Sequence, residues 1–460
     1  MLFNSYEFIF GFLPLTFVLY FLLSRIRNKT FGKSFLVLAS LMFYSWWNVY
    51  YLPVILFSLF FNYFFSLLLL KKHSQKFLLK SLLAVGIAVN LTLLGYFKYV
   101  NFIIENLNLV FKLDISLFEN LELPIGISFY TFQQIAFLVD TYKNKVKERK
   151  FINYSMFVTF FPQLIAGPIV HHKEMMPQFA DRKNAKVHSR HISAGLYIFF
   201  IGLFKKVIIA DTFARWANMG FDQSVNPGLL ESWITSFSYS FQLYFDFSGY
   251  TDMAIGLALM FNIKLPFNFN SPYRATDIQD FWRRWHMTLS RFLKNYLYIP
   301  LGGNRKGESR TLVNLLTTFI LGGIWHGAGW TFMFWGFLHG MGAVIQCLWG
   351  KTNIVIPRPI AWFITFNFVN FAWIFFRAKN WQDAIKVIKG MFTYNGNMGI
   401  TLENISGSFE TYLWVIGAFL FILLFKNTNS LRDNFKPGIR HLILLIIIAI
   451  TGLLNLYRMN

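Results

Sequence analysis

The stretch that decides the fold runs from Gln279 to Gly329 and reads, in its two halves, FWRRWHMTLSRF (residues 281–292) and LVNLLTTFILGGIWHG (residues 312–327). At helical spacing Trp282, Trp285, Leu289, Phe292 and Tyr296 share one face, while Arg284, Arg291 and Asn295 sit on another. The first half therefore predicts an amphipathic helix lying at a membrane surface. The second half carries no charge between Arg310 and His326, so it reads as a spanning segment with an ionisable group near its end. A titratable side chain placed there is a functional candidate, because charge is costly in lipid.

The composition agrees with a membrane setting. Of the 460 residues 55% are hydrophobic, 20% aromatic and only 14% charged, with a mean hydropathy of +0.45. A soluble domain of this length needs far less apolar surface. The fold expected is all-α: a polytopic integral membrane protein of about eleven or twelve transmembrane helices, with re-entrant and interfacial amphipathic helices around a central cavity. Neither an internal repeat nor a separate soluble domain stands out, so a single unit over residues 1–460 is expected, with its core over about residues 124–349.

The net charge of +22 does not point to nucleic acid. Its lysines and arginines fall in short clusters between apolar runs, such as Arg25, Arg27, Lys29 and Lys33, or TYKNKVKERK (141–150). That distribution orients membrane proteins, and it predicts a chain with these loops in the cytoplasm and its N-terminus outside. The single cysteine, Cys347, excludes an intrachain disulfide and a multi-cysteine metal site. No HExxH, P-loop or dinucleotide-binding pattern occurs, so neither a metal nor a bound cofactor is expected. Residues 151–179 are broken by Pro162, Gly167 and Pro168 and predict a re-entrant segment, which requires a cavity around it. Asp246 and Asp252 flank a Ser-Gly-Tyr break in the run Ile234 to Phe261 and are expected to face that cavity. His171 and His172, beside a Lys-Glu pair, read as structural.

Several blocks together carry a family resemblance: GISFYTFQQIAFLVDTY (126–142), FPQLIAGPIVHHKEMMPQF (161–179), FDFSGYTDMAIGLALMF (245–261), LPFNFNSPYRATDIQDFWRRWHMTLSRFLKNYLYIPLGGNR (265–305) and LGGIWHGAGWTFMFWGFLHG (321–340). The chain resembles the membrane-bound O-acyltransferase (MBOAT) family, and within it the bacterial branch that O-acetylates alginate and peptidoglycan. The resemblance implies that His326 stands at the family's nearly invariant histidine and His286 at its second, more variable position. It implies an O-acetyltransferase that draws on acetyl-CoA or another acetyl thioester at the cytoplasmic side and delivers toward an envelope polysaccharide. An extracytoplasmic SGNH or esterase-like partner is implied by the same family's division of labour.

The residues suit that chemistry. A neutral imidazole at His326 can accept the proton of an attacking hydroxyl, a match worth roughly 10²- to 10⁴-fold in rate. Gly322, Gly323, Gly327 and Gly329 around it are expected to leave the backbone open to substrate. His286 can polarise the acyl carbonyl, hold His326 or anchor its helix, and both histidines are expected in a cavity entered from the cytoplasm, with His286 at the mouth. Arg283, Arg284 and Arg291 can meet the phosphates of the donor, and Trp325, Asp246 and Asp252 complete the candidate substrate-binding set. A transporter or flippase of lipid-linked sugar, or a non-catalytic scaffold of an envelope-modifying complex, are the competing classes. A transporter should show matched broken helices in two halves, and a scaffold has no use for an ionisable group near the membrane interior.

Overall fold

The computed structural model describes residues 1–26, 30–70, 76–119, 121–352, 354–394 and 398–456; the basic positions Arg27, Lys29, Lys71 and Lys72 lie outside them. Every regular element among the described residues is helical. In chain order these are α1 (Glu7–Ser24), α2 (Thr30–Ser45), α3 (Val49–Leu70), α4 (Lys76–Phe111), α5 (Ile127–Tyr142), α6 (Phe151–Thr159), α7 (Phe161–Leu164), α8 (His172–Ala180), α9 (Ser189–Gln223) and α10 (Leu229–Met260). They continue as α11 (Ile278–Arg284), α12 (Met287–Leu293), α13 (Glu308–His326), α14 (Trp330–Trp349), α15 (Arg358–Arg377), α16 (Trp381–Phe392), α17 (Phe409–Leu424), α18 (Thr428–Asp433) and α19 (Ile439–Leu456). Seven of them, α1, α3, α4, α9, α14, α15 and α19, are long and apolar enough to cross a bilayer. Large apolar side chains such as Phe57, Phe64, Ile364 and Ile447 face outward. That exterior suits lipid and would be unstable in water.

Without water, apolar surface gives helices little reason to associate, so close backbone contact has to supply the attraction. The α9 and α10 pair shows how. Gly195 faces Gly256 and Gly202 faces Gly249, and a Cβ at Gly202 or Gly256 would lie 2.5 Å from the carbonyl oxygen opposite. The α13 and α14 hairpin repeats the device, since a Cβ at Gly323 would lie 2.4 Å from the Phe332 carbonyl and one at Gly336 would lie 2.5 Å from that of Phe319. This corrects the expectation for the glycines near His326: the Phe332 ring and backbone fill the space at Gly327 and Gly323, so both serve packing and open no path for substrate.

The helices of the segment are broken near Pro162 and Pro168. After α6 and α7 the chain runs irregularly through residues 165–171, and its backbone groups find partners inside the protein. The amide of Ile169 donates to Thr288 Oγ1 at 3.0 Å and that of Phe161 to Ser40 Oγ at 3.1 Å. Irregular backbone at membrane depth is stable only when satisfied in this way.

The FWRRWHMTLSRF stretch differs from its sequence reading. It is two short helices, α11 and α12, separated at His286, whose backbone is left-handed (φ 41°, ψ 53°). Trp282, Trp285, His286 and Leu289 are all buried, whereas Arg283 is exposed. Asn268 holds the break: its carbonyl accepts from the Met287 amide at 2.9 Å, and its Oδ1 accepts from Thr288 Oγ1 at 2.6 Å. The Asn270 amide closes the other side on the Arg284 carbonyl at 2.9 Å. A left-handed non-glycine residue costs roughly 1–2 kcal/mol and persists only when such bonds over-determine it.

If backbone contact holds α9 to α10, Gly202→Val should reduce the amount of full-length protein in washed membranes several-fold, since overpacking costs about 1–3 kcal/mol. Gly417→Val in α17, where no atom lies within 4 Å of the added carbon, should leave it unchanged. Quantitative immunoblotting separates the two, and equal amounts would contradict the packing account.

Candidate active site

His326 ends α13, one residue before Gly327 turns the chain toward α14. Its ring is wedged among Trp325, Trp335 and Phe376, with centroids 4.8, 5.1 and 5.1 Å away. Neither ring nitrogen has a protein partner among the described residues, so both are available to a substrate. His286 is 1% exposed, and its Nδ1 lies 3.3 Å from Asn268 Oδ1. An amide oxygen only accepts, so Nδ1 carries the proton and Nε2 is left as the acceptor. Burial pushes this imidazole down to about 3, which keeps it neutral at physiological pH.

The two histidines line one cavity of about 250 Å³ together with Lys98, Ser128, Trp325 and Trp373. The Trp325 ring touches both, at 6.3 Å from His286 and 4.8 Å from His326. The left-handed turn buries His286, and His326 is half-buried at the wall of the same cavity. A second, larger cavity of about 780 Å³ begins one residue further on, because Met287 and Thr288 line it. Arg283, Arg291 and Lys294 stand in its wall, and no carboxylate does. Such a wall can hold an anion, and the first cavity can take a proton from a hydroxyl with a neutral imidazole.

The sequence candidates divide accordingly. His286, His326 and Trp325 meet in the first cavity, and Arg283 and Arg291 face the second, the latter also paired with Glu174. Arg284 turns away and binds both oxygens of Asp280 at 2.9 Å. Asp246 and Asp252 do not reach either cavity, contrary to expectation. Lys205 and Lys206, one turn along α9, consume them: Lys205 Nζ lies 2.6 Å from Asp252 and Lys206 Nζ lies 2.6 Å from Asp246, with Thr428 Oγ1 bonded to the first pair. Opposite charges at membrane depth find each other before they find solvent.

His171, His172 and Asp140 bring three ligand-type atoms within 4.8 Å of one another, with the Tyr296 hydroxyl 3.0 Å from Asp140 Oδ2. The Lys173 amide donates to His171 Nδ1 at 3.2 Å, so the proton of that imidazole is on Nε2, where it binds Asp140 and Tyr296. A metal would need that nitrogen bare, and the group reads as a hydrogen-bonded knot tying α5 to α8. Burial, opposed by Asp140, lowers the His172 pKa.

Sequence reading missed Asn268 and Lys98. Asn268 gives no periodic signal, but Lys98 does: it is a cation that interrupts an otherwise uncharged run of α4 between Lys80 and Glu105.

A family model described as MBOAT, membrane-bound O-acyltransferase family, matches residues 41–380. The chain belongs to that family. It is 53% identical over 429 residues to a peptidoglycan O-acetyltransferase of Helicobacter pylori, covering 86% of this chain and 80% of the relative. It is 41% identical over 402 residues to a probable alginate O-acetylase AlgI of Pseudomonas aeruginosa, covering 86% and 75%. A teichoic acid D-alanyltransferase of Bacillus subtilis is 28% identical over 281 residues, 57% of this chain and 70% of the relative. This membrane-bound O-acyltransferase is thus an acyltransferase in which consecutive residues, His286 and Met287, line two different cavities.

The buried pair in α9 and α10 gives a direct check on its structural role. Asp252→Leu leaves Lys205 uncompensated and should destabilise the detergent-solubilised protein by about 3–5 kcal/mol, whereas Lys205→Met with Asp252→Leu should recover most of the loss. Thermal unfolding measures both. A stable but inactive Asp252→Leu protein would instead make Asp252 a substrate ligand.

Proposed function

We propose that this acyltransferase is an O-acetyltransferase of the bacterial inner membrane, one domain over residues 1–460 with eleven to twelve spans in all. It takes acetyl from a cytoplasmic thioester, acetyl-CoA or a carrier-bound equivalent, and passes it toward the envelope. An extracytoplasmic SGNH-type partner then sets it on a polysaccharide, with peptidoglycan favoured by the relative of highest identity among those above. One observation carries the reading: His286 and His326 line one cavity that adjoins a cation-walled cavity at Met287.

The orientation follows from charge. The basic stretch Arg274 to Arg310 belongs on the cytoplasmic side and the acidic stretch Glu105 to Glu122 outside, which puts the N-terminus outside. On that topology α13 rises about 27 Å from Glu308 to His326, so the histidine cavity lies toward the outer face. The cation-walled cavity, against Leu315 and Thr318 of α13 and Ala343 of α14, lies on the cytoplasmic side. This revises the expected entry: the donor's phosphates meet Arg283, Arg291 and Lys294 from the cytoplasm, while the acceptor hydroxyl reaches His326 from the other cavity. His326 takes the hydroxyl proton during attack on the acyl carbonyl and returns it to the leaving thiolate. His286, neutral and fixed by Asn268, positions the acyl group between the two cavities.

His326→Ala should lower ester-linked acetate in purified envelope polysaccharide by about 10²-fold or more at an unchanged membrane level of protein. Alkali release of acetate measures it. Wild-type acetate in that mutant would refute the function proposed.

A further inference from the structure

Lys98 is a cation of the histidine cavity that the reaction above leaves idle. It sits in LLGYFKYVNF (93–102) on α4 and lines the cavity with His286 and His326. Its ammonium has three N–H donors. One goes to the Trp325 carbonyl and one lies 3.4 Å from Ser128 Oγ; the third has no partner among the described residues. No carboxylate pairs with it there, whereas Lys205 and Lys206 each have one. The ammonium stands 5.7 Å from the centre of the Trp325 ring, the same ring that touches both histidines. A cation held at membrane depth without a counter-ion is costly, and such groups mark function.

We propose that Lys98 is a catalytic residue of this site, whose ammonium donates to the carbonyl oxygen of the bound acyl thioester and holds the negative charge that develops there. The inference rests on the function proposed above. The acceptor oxygen bonds to the carbonyl carbon as its proton passes to His326, and the C=O π pair moves onto the oxygen facing Lys98. When that pair returns, the C–S bond breaks and the thiolate takes the proton from His326. The products are an O-acyl ester and a thiol, and no further reactant is needed. A preorganised charge is effective because it needs no reorganisation during the reaction.

The competing role for Lys98 is structural, since the Trp325 carbonyl lies in the last turn of α13 and needs a donor. The structure contains its own control. Tyr99 caps the neighbouring carbonyl, with its hydroxyl 2.7 Å from Ile324 O. If Lys98 only held the helix end, Tyr99→Phe and Lys98→Met would cost activity alike.

The test uses cells deleted for the gene and complemented with the full-length wild type, Lys98→Met, Lys98→Arg, Tyr99→Phe or His326→Ala. The rate at which ester-linked acetate appears in purified envelope polysaccharide is measured against protein level and the Tm of the solubilised protein. Lys98→Met should lose about 10²-fold in rate with an unchanged Tm, Lys98→Arg should recover at least about tenfold of that, and Tyr99→Phe should stay within about threefold of wild type. Should Lys98→Met not accumulate, Lys98→Gln, which keeps a donor for the Trp325 carbonyl without the charge, carries the same expectation. Near-wild-type rate in Lys98→Met, equal losses in Lys98→Met and Tyr99→Phe, or no recovery with arginine would overturn the assignment. An inactive His326→Ala beside an active Lys98→Met removes this inference alone. Wild-type cells without ester-linked acetate remove the proposed function and this inference together.

Discussion

The turn at His286 depends on one asparagine. Asn268 supplies the carbonyl that takes the Met287 amide and the side-chain oxygen that takes Thr288 and His286. Thr288 in turn accepts the amide of Ile169 from the broken segment, so a single buried polar knot fixes two irregular stretches at once. Where water is absent every such group must be satisfied from within, and partial satisfaction would be worse than none. The rest of the site follows from that turn: it buries one imidazole, separates α11 from α12, and leaves Met287 as wall of the second cavity.

Charge is managed by the same rule. Lys205 and Lys206 on α9 are matched by Asp252 and Asp246 on α10, and the glycine contacts bring those two helices close enough for short ion pairs. Beside the histidines, by contrast, Lys98 has no carboxylate partner among the described residues, and the second cavity's wall carries Arg283, Arg291 and Lys294 but no acid. An anionic donor approaching from one side and a polarised carbonyl between two neutral imidazoles both suit that distribution.

Much of this was legible in the sequence. Apolar content and basic clusters gave a polytopic helical protein, Pro162 and Pro168 marked the broken segment, and the uncharged run before His326 marked the catalytic candidate. What failed did so for tertiary reasons. The periodicity of FWRRWHMTLSRF fits one amphipathic helix well, and nothing local announces a left-handed residue at His286, because its cause is Asn268 eighteen positions earlier. Asp246 and Asp252 read as cavity acids because their lysine partners belong to another helix. The glycines beside His326 looked like open space until Phe332 was seen to occupy it.

The central claim is that two cavities reached from opposite faces of the membrane adjoin at His286. Solvent access to single cysteines tests it most directly, starting from a chain with Cys347→Ala. Ser128→Cys lies in the histidine cavity and Ser290→Cys in the cation-walled one. With a small membrane-impermeant thiol reagent, the account predicts reaction of Ser128→Cys in spheroplasts and of Ser290→Cys only in inverted vesicles. Reaction of both from the same face would contradict it.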